Sequence, residues 1–324
     1  MASRQGTLAG KPRHWRMASW SWGCQIAAGL GDAGTAVVIA RSTPLAGGLV
    51  LGVDAAWTAH QPSGVALVQH QGERWRCLGL APSYAGFMAL AEGRAVDWSA
   101  RAEGSQPNMA ALLQAAEQLS GSRVDLIAFD MPLSTEPIGH RRQADRDVSR
   151  VFGSRGCAVH SPTVQRPGAI ADGIRQQLEP LGYRLQVAGD RPPPGGLIEV
   201  YPHVALLALL ERPYRVPYKV SRSLQYWRAE HLPVTERIVR LLAEFRRIRD
   251  GLAQHIEAIN LPLPHPTDVQ ALAALKPLDD GLDTLICSWV AIEHLQGRTQ
   301  GLGDATAAIW CPMAAFAQLQ APKG

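Results

Sequence analysis

Three carboxylates interrupt three apolar runs, and any fold for this chain must accommodate them. The runs read LVLGVD at 49–54, VDLIAFD at 124–130 and LIEVYP at 197–202, so Asp54, Asp130 and Glu199 close or sit inside segments that otherwise suit buried strands. Asp is depleted in strands, and a buried carboxylate costs several kcal/mol unless its charge is compensated. One such residue is an oddity, most simply a turn or helix cap. Three call for a common explanation.

The surrounding pattern predicts an α/β chain. Strands are expected at 49–54, 65–69 and 74–80, the first two joined by the turn residues of HQPSG, which makes an antiparallel meander. A helix follows at 108–119 (NMAALLQAAEQL), then a strand at 124–129, apolar on both faces. Residues 140–152 and 168–182 read as helical. Beyond the DRPPPGG linker at 190–196 a strand is expected at 197–201, with Pro202 opening the next helix, where its missing N–H is harmless. Residues 234–259 carry Ile238, Leu241, Leu242, Phe245, Ile248, Leu252, Ile256 and Ile259 at three-and-four spacing, a long helix with a basic outer face. The last strong helix spans 279–295 (DDGLDTLICSWVAIEHL), and 307–311 reads as a short strand. A meander followed by alternating elements implies a mixed sheet of five strands flanked by helices, the short run at 307–311 standing apart from it, with helical insertions over about 203–265.

Composition narrows the classes. With 46% apolar and 19% charged residues, the 324-residue chain has the make-up of a soluble globular protein, and no stretch reaches the ~18 apolar residues of a membrane span. Its net charge of +4 falls within 1–48, where Arg4, Lys11, Arg13, Arg16 and Arg41 face Asp32 alone. The remainder is neutral, so any nucleic-acid affinity must come from local patches. Residues 1–48 show little periodicity and no signal-peptide layout. They are expected to be a disordered or over-annotated extension, with Met17 as an alternative start, ahead of a targeting signal. The 5 cysteines have neither zinc-ligand nor disulfide-framework spacing, which leaves a reducing cytoplasm as the expected compartment.

If the first strand lies beside and parallel to the fourth, Asp54 and Asp130 meet at their carboxyl ends, where open α/β sheets present ligands. Asp283, on a helix crossing that edge, supplies a third carboxylate, and Glu199 a fourth if its strand is adjacent. Such a group repels itself unless protonated or bound to a cation. Oxygen donors without His or Cys favour Mg2+ or Mn2+ over zinc. Two such ions ~3.5–4 Å apart would serve phosphoryl displacement. Asp279 and Asp280 read as helix caps or dipole partners. Arg142, Arg146 and Arg150 fall at helical i, i+4, i+8 spacing, either a phosphate clamp or a solvated face bridged by Asp145 and Asp147. His160 and His203 are read as structural.

The ordered set GVDAAW, PSGVALV, AFDMPL, EVYPH and LDTLICSWVA resembles domain-of-unknown-function family 429, predicted nucleases of the ribonuclease H-like fold, from about Leu49 to Pro312. The resemblance implies a ribonuclease H-like strand order and an acidic metal site. Matched position by position, it assigns Asp54, Asp130, Glu199 and Asp283 to catalysis, and metal binding to Asp54, Asp130 and Asp283. RRQADRDVSRVFG adds Arg142, Asp145 and Arg150, and PYK adds Lys219 as a recurring basic position; Arg142, Arg150 and Lys219 are the expected phosphate contacts. The function expected is Mg2+- or Mn2+-dependent hydrolysis of nucleic acid. The alternatives are a phosphotransferase or ATPase of the actin and sugar-kinase type, disfavoured because DAAWTAHQPSG and DMPLSTEPIG lack a multi-glycine phosphate turn, and an inactive nucleic-acid-binding module.

Overall fold

In the computed structural model, residues 48–190 and 196–321 are described. The extension expected over 1–48 therefore lies, apart from Gly48, outside the described residues. In chain order the elements are β1 (Leu49–Asp54), β2 (Gly64–Gln71), β3 (Arg74–Ala81), α1 (Tyr84–Ala91), α2 (Met109–Ser120), β4 (Leu126–Phe129), α3 (Gln143–Phe152), α4 (Ala169–Leu178), β5 (Gly196–Glu199) and α5 (Pro202–Leu209). Then come α6 (Ser223–Tyr226), α7 (Val234–Ala253), β6 (Ile256–Glu257), α8 (Lys276–Leu295), β7 (Thr299–Gly303), β8 (Ala308–Pro312) and α9 (Met313–Ala317). Among the described residues, no helix is long and apolar enough to cross a membrane.

The strands form one mixed sheet in the order β6-β3-β2-β1-β4-β5-β8-β7. The five expected strands are its contiguous middle, with β1, β2 and β3 antiparallel and β4 and β5 parallel to β1. The expectation of five strands is corrected to eight. β8 was foreseen as an apolar run, whereas β6 is only two residues long and β7 (TQGLG) is polar and glycine-bearing, so neither carries a strand pattern. The long helix is also shorter than its periodicity implied. α7 stops at Ala253, and Ile256 leaves the helix to pair with Trp75 at the edge of the sheet. Burial was satisfied by a strand where spacing alone suggested another helical turn. Helix α1 was not anticipated: its FMALA run is apolar all round, and Ser83 caps it by accepting from Gly86 N at 3.0 Å.

Side chains alternate across a strand, and this divides the core. Leu49, Leu51 and Val53 pack with α1, α2 and α4, while Val50, Leu126 and Ala128 face α5, α7 and α8. The same parity turns Asp54 and Asp130 toward α8. Gly52 makes that approach possible: a Cβ there would collide with the Thr284 carbonyl and stand 2.7 Å from Ser288 N. At Gly64 a Cβ would lie 2.7 Å from the Thr284 methyl. Two glycines on neighbouring strands thus let α8 rest directly on the sheet beside its carboxylate edge.

Candidate metal and phosphate site

Asp54 ends β1 and Asp130 follows β4; the strands pair in parallel, Val53 opposite Phe129, and Asp130 N donates to Val53 O at 2.9 Å. Helix α8 brings the third group. Asp279, Asp280 and Asp283 are three and four residues apart, so they share the face that presses on the sheet. Carboxylate oxygens of Asp54, Asp130 and Asp283 all lie within 4.8 Å of one another, and so do those of Asp279, Asp280 and Asp283. The trio expected to hold a metal therefore converges, and Asp283 is common to both groups.

Two lysines enter this cluster. Lys219 Nζ pairs with Asp283 Oδ2 and lies 3.2 Å from Asp279 Oδ1, while Lys276 pairs with Asp280. Tyr218 donates to Asp283 Oδ1, and Val220 N donates to Asp279 Oδ2 at 3.0 Å. Burial raises Asp130 to about 6 and Asp280 to about 8, the latter pushed further by the charge of Asp54. Asp54 is raised by the same two causes, burial and then the like charge of Asp130, against the pull of Lys219. Burial draws Lys219 down, but Asp279, Asp54 and Asp130 more than reverse it and keep the ammonium charged. The cluster is short of positive charge even with both lysines present.

Glu199 does not join the trio. Its register partner is Phe129, so strand parity turns it to the other face from Asp54 and Asp130. There it accepts from Arg142 through both oxygens, at 2.5 and 2.7 Å, and from Leu133 N at 2.7 Å. Burial pushes Glu199 up to about 7, against the lowering pull of Arg142. Arg142 also pairs with Asp145 at 2.6 Å and donates to Leu133 O. The expected one-face row of Arg142, Arg146 and Arg150 is accordingly corrected. Arg142 is the buried residue preceding α3, with its guanidinium fully engaged, while Arg150 is exposed and bridges Asp147 at 2.8 Å. Neither is set to clamp a phosphate at the acidic cluster. Of the three cations singled out in the sequence, only Lys219 reaches it.

Neither Asp279 nor Asp280 caps α8, whereas Asp279 does stand in its first turn, as expected of a dipole partner. Leu275 precedes α8 without a side-chain cap, and both carboxylates are spent on lysines and on Val220 N. Asp280, Lys276 and Tyr218 were missed as site residues. The recurrence of Arg215, Lys219 and Arg222 every three or four residues in RPYRVPYKVSR was the available sign of a basic loop near the site.

A cleft of about 730 Å³ opens above the cluster, with Asp54, Asp130 and Asp280 on its floor. Trp57, Arg166, Arg215 and Arg222 lie on its walls, as do His160 and His203. Arg215 Nη2 meets His203 Nε2 at 2.6 Å, and Arg222 Nη2 meets His160 Nε2 at 2.7 Å. Burial first, then the neighbouring arginines, hold both imidazoles below their ordinary values.

No curated protein and no solved structure matches the chain. One family model does, over residues 52–307, a span that takes in β1 from Gly52 through the acidic face of α8. The chain belongs to that family, described as "Protein of unknown function (DUF429)".

Proposed function

We infer that the protein is a divalent-metal-dependent phosphodiesterase acting on nucleic acid. The observation that carries this reading is the convergence of Asp54, Asp130 and Asp283, drawn from two strands and a helix, within 4.8 Å. The donor set fits Mg2+ or Mn2+: every candidate ligand is a carboxylate oxygen, and Asp54, Asp130, Asp279, Asp280 and Asp283 against Lys219 and Lys276 alone leave a charge deficit that a cation fills. The antiparallel meander with β4 and β5 parallel to β1 supports a ribonuclease H-like core, extended at its edges by β6, β7 and β8. The free buried thiols Cys77, Cys157, Cys287 and Cys311 suit a reducing cytoplasm.

Asp54, Asp130 and Asp283 would hold the ion. Bound there, it supplies a neutralising charge at the phosphate and an activated water. Lys219 holds Asp283 in place and adds a fixed positive charge at the floor. Asp280, raised to about 8 by burial and by the charge of Asp54, would be the group that holds a proton beside the site. Glu199, fixed by Arg142, holds Leu133 N in the loop after β4 and lines the same cleft beside Asp130.

A phosphotransferase fits less well, because the turns after β1 and β4 put Trp57 and Pro132 against the cleft where a glycine-rich phosphate cradle would stand. The deciding experiment incubates the full chain with single-stranded, duplex, hybrid and branched substrates. Cleavage is expected with Mg2+ or Mn2+, absent with EDTA, and reduced at least about 100-fold in Asp54→Asn. Cleavage that survives this substitution, or none on any substrate, overturns the reading.

A further inference from the structure

Among the described residues, several arginines are paired with carboxylates, Arg142, Arg150, Arg175, Arg240, Arg247 and Arg298 among them. Arg166, Arg215 and Arg222 line the cleft, and their polar contacts among the described residues include no carboxylate. Arginine only donates, so the imidazole nitrogens facing Arg215 and Arg222 must accept. The depressed basicity of His160 and His203 matches that role. These histidines aim the guanidiniums and bring no negative charge. Two aimed, uncompensated guanidiniums on a cleft wall form a receptor for an anion, and the planar fork of arginine suits phosphate.

The opposite requirement, an apolar surface, is met in the same cleft. Trp57 stands three residues after Asp54 in the turn leaving β1, half-buried against the core. The exposed Arg166 guanidinium lies 5.9 Å from its ring centroid, and Met131 and Pro132 lie on the same lining. A broad ring backed by a cation is the surface on which a nucleobase stacks. Bases in a duplex are already stacked and paired, with no face free for such a plate, whereas a single strand offers one.

We propose that Arg215 and Arg222 with the Trp57–Arg166 plate form a nucleotide subsite that selects single-stranded nucleic acid, one phosphate on the arginines and a base on Trp57. This rests on the phosphodiesterase reading of the acidic floor and names its substrate class. The test reads binding, so that the two ideas fail separately. Fluorescence anisotropy follows a 12-nucleotide single strand, a blunt duplex of the same sequence, and a nucleoside monophosphate as competitor. Binding is measured to the full chain in EDTA, and with Mg2+ in the Asp54→Asn background. Trp57→Leu fills the same space without a stacking face and is expected to weaken single-strand binding roughly 5- to 150-fold, the worth of one base stack. Arg222→Gln is expected to lower the slope of log K against log salt by about 0.7, one phosphate contact, while Arg150→Gln changes nothing. Tight single-strand binding without cleavage sinks the phosphodiesterase reading and upholds the subsite. The proposal is overturned if the duplex binds as well as the single strand, if the mononucleotide competes as well as the strand, or if Trp57→Leu and Arg222→Gln bind normally in both conditions.

Discussion

Arg142 spans two carboxylates inside the protein, and its side chain is 6% exposed against 75% for Arg150. The two arginines stand eight residues apart in one basic segment, yet they differ in worth by the dielectric around them. Removing Arg142 strands Glu199 and Asp145 as uncompensated buried charges. Arg142→Gln is expected to cost roughly 3–5 kcal/mol in denaturant unfolding. Arg150→Gln, which breaks an exposed pair, is expected to cost at most about 1 kcal/mol. Equal losses for the two would disprove the buried bridge. Lys219 belongs to the same class, at 19% side-chain exposure between Asp279 and Asp283. Lys219→Met should destabilise the metal-free protein by roughly 3–5 kcal/mol, and Mn2+ should recover part of that loss, because the divalent ion replaces the missing charge. Thermal melts with and without Mn2+ check it.

At the level of elements, the site depends on how closely α8 approaches β1. Gly52 is tolerated in the strand interior, where glycine is entropically unfavourable, because the Thr284 carbonyl occupies the space a side chain would need. Backbone atoms cannot swing aside, so Gly52→Ala must part the helix from the sheet. The expected cost is at least about 1–3 kcal/mol, the range for overpacking. Because the same movement separates Asp283 from Asp54, Mn2+ affinity should fall in that variant although no ligand has changed; calorimetry on the folded variant decides it. Element-level reading of sequence was secure where a single cause acted. The strands β1, β4 and β5 are apolar runs up to the carboxylates that close them, and α2 has a periodic face with Asn108 as its cap. It failed where two causes competed, as at Ile256, whose spacing continues α7 but whose burial is met by the sheet edge.

Across the whole molecule, buried charge links stability to pH and metal. Asp130 and Asp280 stand at about 6 and about 8 when folded, against 3.8 for an ordinary Asp. A carboxyl raised on folding binds its proton more tightly in the native state, so its contribution is complete below about pH 4 and is lost as pH rises through the folded value. The metal-free protein should therefore lose stability from this site between pH 4 and 8, and Asp130→Asn should remove the part of that slope below about pH 6. Mn2+ at 100 times its dissociation constant adds about 2.7 kcal/mol, so melting at pH 8 should rise by roughly 5–10 °C. Calorimetry in buffers of different ionisation enthalpy should show proton release on Mn2+ uptake. A flat pH profile, or uptake without proton release, contradicts the raised carboxyls of Asp130 and Asp280.

Local chemistry in the sequence determined the class of fold, the strands that end in Asp54 and Asp130, and the helix that carries Asp283, because apolar runs and helical spacing are short-range properties written residue by residue. Strand parity, set by register, decided that Glu199 turns away from the trio toward Arg142. Tertiary packing alone decided that Asp280 and Lys276 belong to the cluster and that Arg142 does not face the cleft. Charges are worth what their surroundings make them worth, and those surroundings are assembled from parts of the chain more than fifty residues apart.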